Sequence, residues 1–145
     1  MAVTLRGSGQ TPVQIVQATF NTVSSTSSTS YVTTGFSVTI TPTNSSNRIL
    51  VSVNSQISNQ AGSVTYATIY RGSTNLSPLS NGAMCVSYGA NSANVCNAAM
   101  QILDAPATTS AVTYTVFFRV SGGAAAAFGD SSSGFSIVAQ ELAYA

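Results

Sequence analysis

The stretch SYVTTGFSVTITPTNSSNRILVSVNSQIS, residues 30 to 58, contains the pattern that decides the fold. On both sides of its Pro/Asn/Ser-rich centre, apolar residues alternate with residues that carry hydroxyl and amide groups. The apolar positions are Phe36, Val38, Ile40, Ile49, Val51 and Val53. A period of two places successive side chains on opposite faces of a strand, and a Pro/Asn/Ser cluster between two such runs favours a turn. The stretch therefore predicts a two-stranded β hairpin with a solvent face almost free of charge.

The remainder of the chain continues in the same manner. Further strands are predicted over 13–20, 64–71, 84–88, 95–103, 112–120 and 135–142, with a short piece at 76–79. Two segments are expected to be irregular: 21–29 as a loop or a solvated edge, and 122–134 as a flexible loop. About eight or nine short strands, with no periodic segment of helical length, favour an all-β fold, an antiparallel β-sandwich or jelly roll. We expect one such domain over residues 12–145, preceded by an extended N-terminal arm, residues 1–11.

Charge is unusually scarce. Only 5% of the 145 residues are charged, against about 25% in an ordinary soluble domain, and the net charge is +1. Four scattered arginines without a basic cluster do not suit nucleic-acid binding or an anionic membrane. No apolar run approaches the ~20 residues of a membrane span, and residues 1–12 lack the apolar core of a signal peptide. We therefore expect no nucleic-acid partner, no membrane insertion and no secretion by the general route.

The chain has few groups suited to catalysis. It contains no His and only three carboxylates, and acid–base catalysis needs a positioned proton carrier. Asp104 and Asp130 could in principle form a glycosidase pair. Asp104, however, opens the turn-like LDAPATTS run, and Asp130 lies in a Gly/Ser-rich segment, so turn-stabilising roles are favoured for both. We expect a protein that is not an enzyme and that binds no cofactor.

Cys85 and Cys96 lie close together in the sequence, each within a strand-like run. Two buried thiols that pack as small apolar residues are favoured. A disulfide across a hairpin is the alternative, which a reducing cytosol disfavours. A metal site is not expected, because no His or neighbouring carboxylate would complete it.

A surface with so little charge is prone to self-association, since few ions have to be desolvated when copies pack together. Interfaces are poor in charge and rich in aromatic residues. The candidate interface residues are Tyr66, Tyr70, Tyr114, Phe117, Phe118 and Tyr144. An ordinary core position is the alternative for each of them, but the chain as a whole is predicted to be multimeric.

Three segments resemble a module that is common in bacteriophage virion proteins, cyanophage proteins among them. They are TSSTSYVTTGFSVTITPTNSSNRILVSVN, MQILDAPATTSAVTYTVFFRV and FSIVAQEL, within a resemblance that covers roughly residues 13 to 142. The LDAPATTSAVTYTV part is the most specific, and Arg48 matches the basic position before Ile-Leu-Val. The resemblance implies a trimeric β-sandwich similar to tumour-necrosis-factor-like jelly rolls. Such modules form the distal knobs of tail fibres and tailspikes, or free-standing trimers on capsids, and the resemblance implies no catalytic or metal residues.

Because no shaft sequence precedes the module, we expect a capsid decoration or cement protein. It would assemble in the host cytoplasm as a homotrimer on the outer capsid surface, and bind the major capsid protein. Leu5 and Arg6 in the arm are the candidate docking residues, and Phe128 and Asp130 are expected in an outward-facing loop. The alternative is a receptor-binding knob of a tail fibre or tailspike that contacts a host cell-surface glycan.

Overall fold

The computed structural model describes residues 12–89, 92–122, 124–132 and 134–143. Within these residues the chain forms eleven β-strands and no helix, and therefore no helix that could span a membrane. The strands are β1 (Gln14–Phe20), β2 (Val23–Thr26), β3 (Val32–Ile40), β4 (Arg48–Asn59), β5 (Ser63–Arg71), β6 (Thr74–Asn75), β7 (Cys85–Gly89), β8 (Asn94–Asp104), β9 (Val112–Val120), β10 (Ala126–Gly129) and β11 (Phe135–Leu142).

The strands form two antiparallel sheets that face each other. In the first sheet, β4 pairs along one side with β8, and along the other with β11 and then β10. The strands β1 and β2 continue that sheet beyond β11 and β10. In the second sheet the order is β3, β9 and β5, with β6 and β7 sharing the far side of β5. The pairs β1/β2, β10/β11 and β6/β7 can each be counted as one interrupted strand. Each sheet then has four strands, and eight strands in two facing sheets are the jelly-roll arrangement. The predicted all-β antiparallel sandwich is confirmed.

The hairpin prediction for residues 30–58 was wrong. β3 belongs to the second sheet and β4 to the first, so residues 41–47 cross from one sheet to the other. Both strands still bury one face, because alternation of apolar and polar residues predicts which side of a strand is buried but not which strand it pairs with. A connection of this length is long enough to bridge the ~10 Å between packed sheets.

Inward positions from both sheets form one core. Four phenylalanines close one end of it: Phe20, Phe36, Phe128 and Phe135, with ring centroids 4.8 Å apart for Phe36 and Phe135 and 5.0 Å apart for Phe20 and Phe36. Aromatic rings at these spacings contribute beyond the area that they bury.

The prediction of an outward loop at 122–134 was wrong for its centre. Residues 126–129 form β10, which lies between β4 and β2, and Phe128 is fully buried in the core. The run is short and Gly-rich on both sides, so its sequence pattern did not indicate a strand. The strand forms because it pairs with β4 on one side and β2 on the other. The segment 21–29 contains the edge strand β2. The short piece at 76–79 forms no strand, and the two residues before it form β6.

Candidate interaction surface

The outer side of the second sheet carries a cluster of aromatic rings. Tyr66 and Tyr70 on β5 alternate with the inward residues of that strand, and Phe117 and Arg119 do so on β9. Tyr66 lies directly opposite Arg119 in the β5–β9 ladder. With Tyr31, which precedes β3, these residues form a half-buried group that we call the aromatic face.

Ring stacking orders the aromatic face. The rings of Tyr70 and Phe117 stack with centroids 4.1 Å apart, and Tyr31 lies 6.2 Å from Tyr70. The Arg119 guanidinium carbon is 4.0 Å from the ring centre of Tyr66 and 5.2 Å from that of Tyr31. A guanidinium at this distance from tyrosine rings makes favourable cation–π contacts. The side chains are therefore held against the sheet in a preformed surface.

The aromatic face contains one charge and several hydrogen-bond donors. Burial raises the pKa of the Tyr31 hydroxyl, and the hydrogen bond and positive charge of Arg119 partly oppose that rise. The hydroxyl stays protonated at neutral pH, and it donates to the Asn81 carbonyl oxygen at 3.3 Å. Among the described residues, the one ion pair joins Arg71 and Asp104, so Arg119 has no carboxylate partner there.

The surroundings of the aromatic face are uncharged. Val86 on β7 lies opposite Tyr66, and Tyr88, with 69% of its surface exposed, lies opposite Val64. On the other side, the hydroxyls of Thr39 and Thr113 are 2.8 Å apart. This side of the sandwich is thus poor in charge and rich in aromatic rings, which is the composition typical of the core of protein interfaces.

The structure gathers three of the predicted interface residues: Tyr66, Tyr70 and Phe117. Tyr114 is fully buried in the core, so its prediction as an interface residue was wrong, and Phe118 is likewise a core residue. Side chains alternate between the two faces of a strand, so positions 114 and 117, which are three residues apart, lie on opposite faces. Tyr144 and the arm residues Leu5 and Arg6 lie outside the described residues.

Sequence reasoning missed Tyr31 and Arg119. Arg119 could have been found, because it follows Phe117 by two residues and must share its face. Tyr31 lies just outside β3, and no periodic signal places its ring beside Arg119.

Asp104 and Asp130 are not brought together. Asp104 pairs with Ile49 at the start of β4, while Asp130 borders a surface pocket near Ser55. Ile49 and Ser55 are six residues apart on β4, which places the two carboxylates at positions ~20 Å apart along that strand. A glycosidase pair requires about 5 to 9.5 Å. Asp130 instead accepts hydrogen bonds from the backbone N–H and hydroxyl of Ser132, at 2.9 and 2.7 Å, as expected of a turn residue.

Asp104 belongs to a buried polar group rather than to its own turn. One guanidinium nitrogen of Arg71 donates to both of its oxygens at 2.8 Å, and the Tyr114 hydroxyl donates to Oδ2 at 2.7 Å. Burial raises the pKa of Tyr114 strongly, and the hydrogen bond to Asp104 and its negative charge raise it further, against the effect of Arg71. These contacts fix β5, β8 and β9 to one another.

Glu141 is the second buried carboxylate, and it was not identified from the sequence. Its Oε1 accepts hydrogen bonds from the Thr43 N–H at 2.7 Å, the Thr43 hydroxyl at 2.8 Å and the Asn47 amide at 2.7 Å. Its Oε2 accepts one from the Gln14 amide at 2.6 Å. Burial itself raises the pKa of Glu141, but the hydrogen bonds from Asn47, Gln14 and Thr43 outweigh it and lower the pKa to about 2. The carboxylate ties the crossover at 41–47 to β1 and β11.

Both cysteines are free and half-buried against the core. Cys85 lies on β7 and Cys96 on β8, so they belong to opposite sheets and not to the two strands of a hairpin. Burial raises the pKa of Cys85, and the nearby Cys96 thiol raises it further. The Cys96 thiol is 3.3 Å from the Ser87 hydroxyl.

No protein-family model matches the sequence, and no curated protein matches it. Among solved structures, the chain is similar to a mutant VP2 protein of infectious bursal disease virus from derived T=1 particles. The identity is 14% and the TM-score is 0.43, over 98% of this chain and 40% of that chain. The chain thus spans less than half the length of the VP2 protein.

Proposed function

We propose that this protein is a structural component of a bacteriophage virion, a homotrimer that decorates the outer capsid surface. It would reinforce the shell by adding buried contacts with the major capsid protein. The observation that carries the proposal is the aromatic face, a preformed surface of four rings with a single arginine.

Self-association of such a surface has a low electrostatic cost. Burying an ion is expensive unless it is well paired, and Arg119 is the one charge on the aromatic face. Tyrosine and arginine are also the residues that most often dominate binding energy at interfaces. The stacked rings have already lost side-chain freedom, so association would order little more of the surface.

The phage assignment is supported by the sequence resemblance, in particular by the segment LDAPATTSAVTYTV. Jelly rolls occur in viral capsid proteins and in lectins. The fold is therefore compatible with the proposal but does not distinguish a structural role from glycan recognition.

The copy number per virion tests the location. In purified heads without tails, we expect the protein to be retained in proportion to the major capsid protein. Loss of the protein together with the tails, or a copy number that matches the tail fibres, would contradict a capsid role. A control protein from the tail should disappear in the same preparation.

The second candidate is a receptor-binding knob that recognises a host glycan. The specific observation in its favour is Arg119 between the rings of Tyr31 and Tyr66, since flat rings and nearby donors suit a sugar ring. The two functions compete for one surface. If glycan recognition is correct, soluble host glycans should bind the native protein, and Tyr66→Ala should abolish binding while Tyr88→Ala leaves it intact. Absence of binding to any host glycan would favour the structural role.

A further inference from the structure

The sandwich has several exposed strand edges, and most of them are protected. β1 and β2 are short and are interrupted at residues 21–22, while β6 and β7 have two and five residues. β3 has a shift in register between Thr33 and Ser37, around Gly35 with φ +82°. Short strands and bulges are the devices that prevent edge-to-edge association.

β8 lacks these devices. It has eleven residues and pairs with β4 from Asn94 to Asp104 without a shift in register. Among the described residues, it makes no backbone–backbone hydrogen bond beyond that ladder. It contains no proline, and its one charged residue, Asp104, is buried at its end. A long, regular and uncharged edge of this kind is open to pairing with another chain unless something covers it.

An apolar groove runs beside this edge. Leu79, Met84, Met100 and Ile102 line it, together with Pro78 and Ala99. Leu79 is 60% exposed, and Val95 on β8 is 62% exposed. No charged residue borders the groove, so the surface that covers it should be apolar as well.

The aromatic face has the complementary chemistry. It presents stacked rings, with the Arg119 guanidinium and the hydroxyls of Tyr66 and Tyr70 as hydrogen-bond donors. The outer side of β8 presents backbone carbonyl and N–H groups that β4 does not engage. Rings would fill the groove, the guanidinium and tyrosine hydroxyls would donate to the carbonyls, and the tyrosine hydroxyl oxygens would accept from the N–H groups.

Symmetry permits a second copy of the chain to be the partner. A ring of three identical chains uses heterologous contacts, in which each copy joins two different patches. Patches on the two opposite broad sides of a sandwich would produce an open stack. The aromatic face lies on a broad side and β8 on a narrow side, so contacts between them can close.

We propose that the open edge of β8, with the groove beside it, receives the aromatic face of a neighbouring copy of the chain. This inference rests on the proposed homotrimer and names the second half of its interface. Each subunit would contribute one aromatic face and one β8 edge, so the ring would leave no β8 edge exposed.

The first test adds charge to the edge. In Leu79→Lys/Ala99→Lys, both substitutions are at exposed positions along the groove, and a matched control, Gln17→Lys/Thr19→Lys, adds the same charge to the protected edge strand β1. Sedimentation should show the edge variant as a monomer and the control as a trimer. A trimeric edge variant would overturn the role of β8 while leaving the proposed trimer intact. A monomeric native protein would instead contradict the proposed trimer itself.

The second test does not depend on the folding of a charged variant. A photoreactive amino acid replaces Ala99 in protein made from a mixture of ¹⁵N-labelled and unlabelled chains. Cross-links between differently labelled chains should join this position to peptides from residues 63–71 or 112–120. Cross-links to residues 94–104 of another copy would show strand-to-strand pairing, and would overturn the inference.

Discussion

At the scale of single residues, Glu141 links the most distant parts of the sequence. Its carboxylate joins Gln14, Thr43 and Asn47, so that the start of the sheet, the crossover and the last strand meet at one buried group. The burial of Glu141 could be predicted, because it continues the inward series of Phe135, Ile137 and Ala139. Its partners could not, because they lie 94 to 127 positions away and no local pattern connects them.

Replacement of Glu141 should be costly. Glu141→Gln keeps one oxygen for the three hydrogen bonds now made to Oε1, but it places an NH2 donor where Oε2 accepts from the Gln14 amide. It also removes the negative charge, and hydrogen bonds to a charged group are worth about 1.5 to 3 kcal/mol each, more than neutral ones. We expect the free energy of unfolding to fall by at least about 2 kcal/mol in urea denaturation. Gln17→Glu, which exchanges the same two groups at an exposed position of β1, is the control and should change it by less than about 0.5 kcal/mol. Equal effects of the two substitutions would contradict the role of Glu141.

The same carboxylate predicts a dependence of stability on pH. Its pKa in the folded protein is about 2, below the ordinary value of 4.5, so the ionised form stabilises the folded state above pH 4.5. This contribution is lost as the pH falls from about 4.5 to about 2. Thermal unfolding of the native protein should therefore show a falling Tm over this interval. In Glu141→Gln the fall should be smaller, and an unchanged profile would show that another group is responsible.

At the scale of strands, the sequence was informative about boundaries and uninformative about partners. The predicted strands at 112–120 and 135–142 coincide with β9 and β11, because both alternate clearly and end at turn residues. The stretch 30–58 contains two strands as predicted, but they belong to different sheets. Short elements such as β10 were missed, since four residues show too little periodicity to stand out from a Gly-rich surrounding.

The end of β10 depends on a glycine. Gly129 has φ +99°, and a Cβ atom there would collide with the carbonyl oxygen of Thr22. Gly129→Ala should therefore lower the free energy of unfolding by about 1 to 3 kcal/mol. Gly122→Ala is the control, because an added Cβ there has open space and no positive φ is required. If both variants unfold at the same urea concentration, the conformation assigned to Gly129 is wrong.

At the scale of the whole molecule, the dominant property is how little charge reaches the surface. Asp104 and Glu141 are buried, which leaves Asp130 as the remaining carboxylate of the chain. Composition alone predicted the lack of charge and the tendency to associate. It could not identify the surface, because the aromatic face needs the register of β5 against β9, and the open edge needs the order of all strands.

Low charge also predicts how binding responds to salt. Attraction between exposed charges is screened as ionic strength rises, whereas apolar contacts are not weakened in this way. We expect the affinity of the protein for purified capsids to change little between low and high NaCl concentrations. A steep loss of binding at high salt would indicate an electrostatic interface, and would contradict contact through uncharged surfaces.

The proposed homotrimer, with its uncharged surfaces buried between copies, can be measured by sedimentation equilibrium of the native protein at micromolar concentration. We expect a single species with three times the mass of the chain, and a shift towards monomer for Tyr70→Lys, which introduces a charge into the aromatic face. A stable monomer of the native protein across this concentration range would rule the homotrimer out.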